Sequence, residues 1–300
     1  MTRVAVVGAT GFIGSAVAES LCARGAGVLP VTAPRLTCSA RSVAELHEAR
    51  EGLGALTTEM RGRLDGCDAV VNAAGMAAPG SPLDPSLVGA DALLPLLLHA
   101  ARPPGSRLVH VSTAAVQGPR PVLDESPDHS PFSAYSWAKA LAEEALRGAH
   151  GVVVYRPTSV HGRGRDVTRA LARVVASPLA SVAGTGDAPT PQALVSNVAD
   201  ALAFVTLSEA PPPPVVLHPW EGLTVAELVR RLGGREPRHL PVPLARSVAG
   251  AGRGIGRHWS RAVSWSRRLE MMWFGQRQDD GWLRDRWEPP VGLEAWEALR

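Results

Sequence analysis

Two side chains stand out by type and spacing. Lys139 is the single lysine of a 300-residue chain whose 31 lysine and arginine residues are otherwise all arginine. It lies four positions after Tyr135, one of only 2 tyrosines. Residues four apart on a helix share a face, so a helix here would hold a phenol beside an ammonium. An ordinary phenol, with a pKa of about 10, is a poor proton carrier at neutral pH. A nearby cation favours its ionised form. Arginine at every other basic position, and lysine at this one, points to a site where a guanidinium would not serve. The pair predicts proton transfer on a substrate oxygen.

A second constellation lies near the start of the chain. Gly8-Ala9-Thr10-Gly11-Phe12-Ile13-Gly14 follows a short apolar run and opens a helical pattern. Glycines let the backbone turn tightly and approach a pyrophosphate, and a helix N-terminus supplies free N–H groups and partial positive charge. The loop predicts a dinucleotide site. A carboxylate after the next strand would hold the adenine ribose of NAD. The segment Val31-Thr32-Ala33-Pro34-Arg35 contains none, and Arg35 could meet a 2′-phosphate. NADP(H) is therefore favoured, with NAD(H) as the other candidate.

These residues need a scaffold. Apolar runs at 4–7, 28–32, 69–72, 107–112 and 152–156 read as strands. Helical patterns at 15–24, 87–101 and 133–147 lie between them, with further helical stretches at 44–47 and 53–64. A third strand is hard to find between 32 and 69. The alternation is that of a doubly wound α/β sheet. After residue 157 the rhythm loosens. Helices are expected at 198–207 and from Thr224, where Glu227 completes a capping box. Pro211 to Pro214 is a stiff connector. Six of the 8 tryptophans lie beyond residue 250, and 246–273 is rich in Arg and Trp. That stretch reads as substrate-side helices with packed Trp and solvated Arg. The division expected is a dinucleotide-binding domain at 1–157 and a substrate-binding lobe, partly interleaved with it, at 158–300.

Composition narrows the class. A net charge of +3 argues for no nucleic-acid partner. Cys22, Cys38 and Cys67 have neither disulfide-framework nor zinc spacing, and the nine histidines show no metal-ligand pairing, so no metal is expected. No signal-peptide pattern and no apolar run of bilayer length occurs. These features predict a cytoplasmic protein with reduced cysteines and no membrane partner.

The motifs together resemble the extended short-chain dehydrogenase/reductase family, of the NAD-dependent epimerase/dehydratase type that includes nucleotide-sugar keto-reductases. They are Gly8 to Gly14, Asn72-Ala73-Ala74-Gly75, Ser112-Thr113, Tyr135-x-x-x-Lys139, Arg156-Pro157-x-x-Val160-x-Gly162 and Trp287-Glu288-Pro289-Pro290-Val291-Gly292-Leu293-Glu294. The resemblance implies a Rossmann-type parallel sheet with a smaller C-terminal substrate lobe. It implies that Tyr135 moves the proton, that Lys139 also holds the nicotinamide ribose, and that Thr113 hydrogen-bonds the substrate oxygen. Gly8, Thr10, Gly11, Phe12, Ile13, Gly14, Arg35, Asn72, Ala73, Ala74, Ser112, Pro157 and Val160 would join the pair around the cofactor. Gly75, Met76, Ala114, Ser159 and Gln192 would meet the substrate. A homodimer through helices 87–101 and 133–147 is also implied.

Departures from the family pattern shape the functional expectation. Relatives that dehydrate sugars carry Asp-Glu where this chain has Ala114 and Ala115, so elimination of water lacks its acid and base. The helix-borne Asn of the family is replaced near Gly89. Ser159 and Asn197 stand where Asn and Asp are common, and Gln192 lies near a usual diphosphate-binding Arg. Arg163 and Arg165 read as solvated loop cations, and His161 and His110 as packed. The leading expectation is an NAD(P)H-dependent reductase of a keto group on a sugar, nucleotide-linked, or on a related biosynthetic intermediate. The alternatives are an NAD-dependent sugar epimerase and a non-catalytic dinucleotide-binding protein.

Overall fold

The computed structural model describes residues 1–75, 85–256 and 270–300. Its elements run β1 (Arg3–Val7), α1 (Phe12–Ala23), β2 (Gly27–Val31), α2 (Val43–Glu51), α3 (Gly54–Leu64), β3 (Ala69–Asn72), α4 (Pro85–Ala101), β4 (Arg107–Val111), β5 (Val122–Leu123), α5 (Ala134–Ala145) and β6 (Val152–Arg156). They continue with β7 (Ser159–His161), α6 (Asp166–Val175), β8 (Ser181–Ala183), β9 (Gln192–Leu194), α7 (Val195–Leu207), β10 (Val215–Leu217), α8 (Val225–Gly233), β11 (Arg238–Leu240), α9 (Val242–Gly256) and β12 (Arg277–Gln278).

Six strands form one parallel sheet in the order β10-β6-β4-β3-β1-β2. The central strands are buried along nearly their whole length, as a sheet covered on both faces requires. β2 lies at an edge, where Pro30, which lacks an N–H, is tolerated. Helices α1 and α7 cover one face around Val17, Leu21 and Leu202. Helices α2 to α5 cover the other around Leu46, Met60, Leu97 and Leu146.

The strand sought between β2 and β3 does not occur among the described residues. Ser42 caps α2 by accepting the Glu45 N–H, and the Ala-, Glu- and Arg-rich stretch that follows favours helix over strand. Consequently α2 and α3 lie over α4, which is buried at every position from Val88 to Leu98.

The C-terminal half is woven into the same body. β10 extends the sheet beside β6, and Leu283 and Trp287 join the core under α1 and α7. A separate cluster of Val175, Val182, Leu228, Val229 and the fully buried Trp296 holds α6 and α8 together. Helix α8 begins with the expected capping box, Thr224 with Glu227. Of the Arg/Trp-rich stretch, 257–269 lies outside the described residues. Trp273 is buried and donates its indole N–H to the Ser181 hydroxyl at 3.2 Å.

Candidate functional site

The glycine loop is built for close approach. Gly8 has φ +84°, and a Cβ there would lie 2.8 Å from the Ala74 nitrogen. A Cβ on Gly14 would overlap the Gly8 carbonyl, so α1 can start this near the loop only with glycine. No side chain caps α1, and its first turn holds no acid. Its N–H groups and partial positive charge suit a pyrophosphate. Thr10 is exposed, and Phe12 and Ile13 are partly buried. Arg35 is exposed beyond β2, with no ion pair to any described residue, and Arg163 is exposed as expected.

The β3 end shapes the facing loop. Asn72 is fully buried; its amide accepts the Ala74 N–H at 3.2 Å and donates to His110 Nδ1 at 3.1 Å. Its side chain therefore organises the protein's own loop, and the Ala73, Ala74 and Gly75 backbone is what remains to meet a ligand. His110 is packed, as expected. Burial, with some help from Lys139, pushes it down to about 3, so it is neutral at physiological pH.

Tyr135 and Lys139 stand on α5, whose start is fixed by a reciprocal cap between Ser133 and Ser136. Tyr135 is half-buried and Lys139 is 4% exposed. Lys139 Nζ lies 3.2 Å from Asp91 Oδ2 of α4, itself buried. Burial pulls the ammonium down, but Asp91, Tyr135 and Glu143 outweigh it, and the pKa is raised. The sequence reading missed Asp91. Its signal was present: it is the one carboxylate in the otherwise apolar helix 85–101.

Gly89 has its own reason. A Cβ there would lie 2.3 Å from the Cys38 carbonyl, so glycine lets the 38–40 backbone rest on α4.

One turn after Lys139, Glu143 forms a complete buried network. It accepts from the Ser112 hydroxyl, from His129 at 2.8 Å and from Arg156 at 2.6 Å. These bonds overcome the cost of burial and hold its pKa at about 2. Ser112 is thus spent on Glu143. Thr113 accepts the Ala115 N–H at 3.2 Å, leaving its hydroxyl proton to donate. Ala114 packs against Leu123 and Leu217, and its N–H donates to the Pro157 carbonyl at 2.8 Å. Its side chain is buried there.

The C-terminal half contributes a polar cluster. His161 Nε2 meets Gln192 Oε1 at 2.6 Å and Ser159 Oγ at 2.9 Å, while Nδ1 meets the Thr168 hydroxyl at 3.2 Å. Burial pushes His161 down to about 4, so Ser159 and Gln192 surround a neutral ring. Val160 and Pro157 are buried. Asn197 donates to the Val291 carbonyl at 3.1 Å and accepts the Val291 N–H at 3.2 Å, tying down the C-terminal segment. Met76 lies outside the described residues.

Arg165 is not the solvated cation expected. Its guanidinium sits 4.8 Å over the Phe12 ring and donates to the Val160 carbonyl. Burial lowers its pKa, and the Tyr135 phenol acts in the opposite direction. At Gly162 a Cβ would press on the Phe12 ring at 2.9 Å. Glycine loop, α5 and C-terminal half thus converge on one place.

Comparison with known proteins agrees with this geometry. The family model described as "NAD dependent epimerase/dehydratase family" matches residues 4–216. A dTDP-6-deoxy-L-talose 4-dehydrogenase (NAD(P)(+)) of Kitasatospora kifunensis is 29% identical over 95% of this chain and 94% of its own. A human epimerase family protein crystallised with NADPH superposes with TM-score 0.63 at 22% identity, over 99% of both chains. The dTDP-4-dehydrorhamnose reductase of Bacillus anthracis, in complex with NADP, superposes with TM-score 0.60 at 14% identity, over 100% of this chain and 98% of that one. The six-stranded parallel sheet, the glycine loop and the match over more than half its length show that this chain belongs to the NAD-dependent epimerase/dehydratase family.

Proposed function

We propose that the chain is an NAD(P)H-dependent oxidoreductase that reduces a keto group on a nucleotide-linked sugar. The observation that carries this reading is the convergence of Phe12, Arg165 and Tyr135, which joins the glycine loop to the proton-carrying helix. The dinucleotide, when bound, supplies the hydride. Tyr135 gives its hydroxyl proton to the carbonyl oxygen as negative charge develops there. Thr113, whose oxygen is held by the Ala115 N–H, donates a hydrogen bond to that same oxygen and keeps its proton. Lys139 holds the ribose side of the site and biases the phenol toward release. Residues 1–157 form the dinucleotide side. Residues 158–300 supply most of the substrate side, with Ser159, Gln192 and Arg165 at its entrance.

Three features separate this reading from its neighbours. Ala114 and Ala115 leave dehydration without an acid and base. Arg35, with no carboxylate near the end of β2, favours the phosphorylated dinucleotide. The nucleotide-sugar class agrees with the substrates named for the Kitasatospora and Bacillus proteins. No described helix is long and apolar enough to cross a membrane, and the three cysteines are free; we place the enzyme in the cytoplasm on these grounds.

The test is NADPH oxidation with a panel of dTDP- and UDP-linked keto-sugars. Turnover with at least one, lost in Tyr135→Phe while NADPH still binds, supports the assignment. No turnover on any of them refutes the reductase. NAD that co-purifies and does not exchange would favour an epimerase.

A further inference from the structure

The one carboxylate of α4 faces the one lysine of the chain. Asp91 is 7% exposed and Lys139 is 4% exposed, and their charged atoms approach to 3.2 Å. The pair is tightly housed. A Cβ on Gly75 would stand 3.1 Å from Lys139 Nζ and 3.4 Å from Asp91 Oδ1, so a side chain at this turn would press on the pair. Asp91 Oδ2 takes no hydrogen bond of good geometry. Its contact with the ammonium is an ion pair at 3.2 Å, and both its charge and its hydrogen bonding raise the Lys139 pKa.

The charged and titratable groups around Lys139 can be named. Tyr135 precedes it by one turn of α5, and Glu143, committed to Arg156, follows by one turn. His110 of β4 is held neutral, and Arg165, in the loop before α6, lies within electrostatic range of Tyr135. Asp91 is the anion in direct contact with Lys139.

We propose that Asp91 is a positioning residue. It fixes Lys139 as half of a neutral ion pair and limits the pull of the ammonium on the Tyr135 phenol, so that the hydroxyl keeps its proton for donation to a substrate oxygen. A lysine acting alone would favour phenolate, the form that accepts protons during oxidation. A lysine balanced by Asp91 suits the reductive direction. This deepens the reductase reading and rests on it for its meaning, though not for its test.

Composition makes the test direct. The chain has 2 tyrosines. Tyr155 is fully buried, and burial, with Glu221 and Asp200 adding to it, holds its phenol well above the usual range. Tyr135→Phe identifies which phenolate absorbance step of the whole protein belongs to Tyr135, because only Tyr155 then remains. In Asp91→Asn, which keeps the side-chain shape and removes the charge, the step should move down by about one pH unit, as expected for removing one nearby charge at partial screening. Asp91→Glu should restore a step close to that of the parent. Asp91→Ser, smaller and neutral, provides the same reading should the amide not be accommodated.

A step that stays in place or rises in the neutral variants would overturn the proposal. So would an Asp91→Glu variant that behaves like the neutral ones, since that would mark a role in packing alone. The titration uses neither substrate nor dinucleotide, so its failure would leave the reductase reading untouched. Failure of the keto-sugar panel would in turn leave the titration result standing.

Discussion

Helix α5 carries two buried ion pairs one turn apart, and they are built differently. Glu143 has a partner for each oxygen, drawn from Ser112, His129 and Arg156, while Arg156 also donates to the Ser126 carbonyl at 2.7 Å. Nothing in that network waits for a ligand. Lys139 has one carboxylate at 3.2 Å, an Asp91 oxygen without a hydrogen bond, and the glycine turn at Gly75 against it. Buried polar groups with all bonds made specify structure, and those left incomplete mark places where chemistry happens. The Glu143 pair locks α5 to β6, and the Lys139 pair joins α5 to α4 on the side we propose for the reaction.

Breaking the complete network should have the largest effect. Glu143→Gln leaves the fully buried Arg156 guanidinium uncompensated, which should cost about 3 kcal/mol or more of folding stability. Denaturant unfolding measures this, and a loss under about 1 kcal/mol would mean the network is not the structural lock described.

The incomplete pair should respond in the opposite way. Lys139→Arg keeps the charge opposite Asp91 but changes its shape and donor geometry. We expect turnover to fall about a hundredfold, or about 2.7 kcal/mol of barrier, with a stability change smaller than that of Glu143→Gln. Wild-type turnover in this variant would remove the reason for the chain's single lysine.

The smallest effect is a slope with pH that separates the Glu143 network from two of the buried histidines. His110 and His161 are held below their ordinary value of 6.5, at about 3 and about 4. In that window the unfolded chain binds protons that the folded one does not, so stability falls as pH drops from about 6.5. Each histidine should contribute on the order of 1 kcal/mol per pH unit between about pH 6 and 4. Glu143 is depressed from 4.5 to about 2; its contribution is whole above the unfolded value and is lost only as pH falls from there through about 2. Urea midpoints of the parent and of His161→Gln, compared from pH 7 to pH 5, test this. The variant should lose about half the slope, and an unchanged slope would show that His161 titrates normally.

Much of this protein was legible in the chain itself. The glycine loop, the strands at 69–72 and 152–156, the Ser133-capped helix and the Thr224–Glu227 box are local patterns. Backbone sterics, apolar periodicity and capping are decided by neighbours in sequence, so they can be read there. The same holds for Tyr135 and Lys139, one helical turn apart and singled out by composition.

Tertiary structure decided the rest, because contacts between distant segments leave no period in the chain. Two helices took the place of the strand sought between β2 and β3, and they cover α4. The side chains of Ser112 and Asn72 hydrogen-bond Glu143 and His110, partners that no local pattern announces. Arg165, read as a loop cation, folds onto Phe12 beside Tyr135. Asp91 and Lys139 are 48 residues apart in sequence and 3.2 Å apart in space. Sequence by itself determined which residues could carry a proton and a dinucleotide, because residue type and local spacing fix those capacities. Only the packing of α4 against α5 decided which charge faces Lys139, because that depends on how two helices from separate stretches of the chain meet.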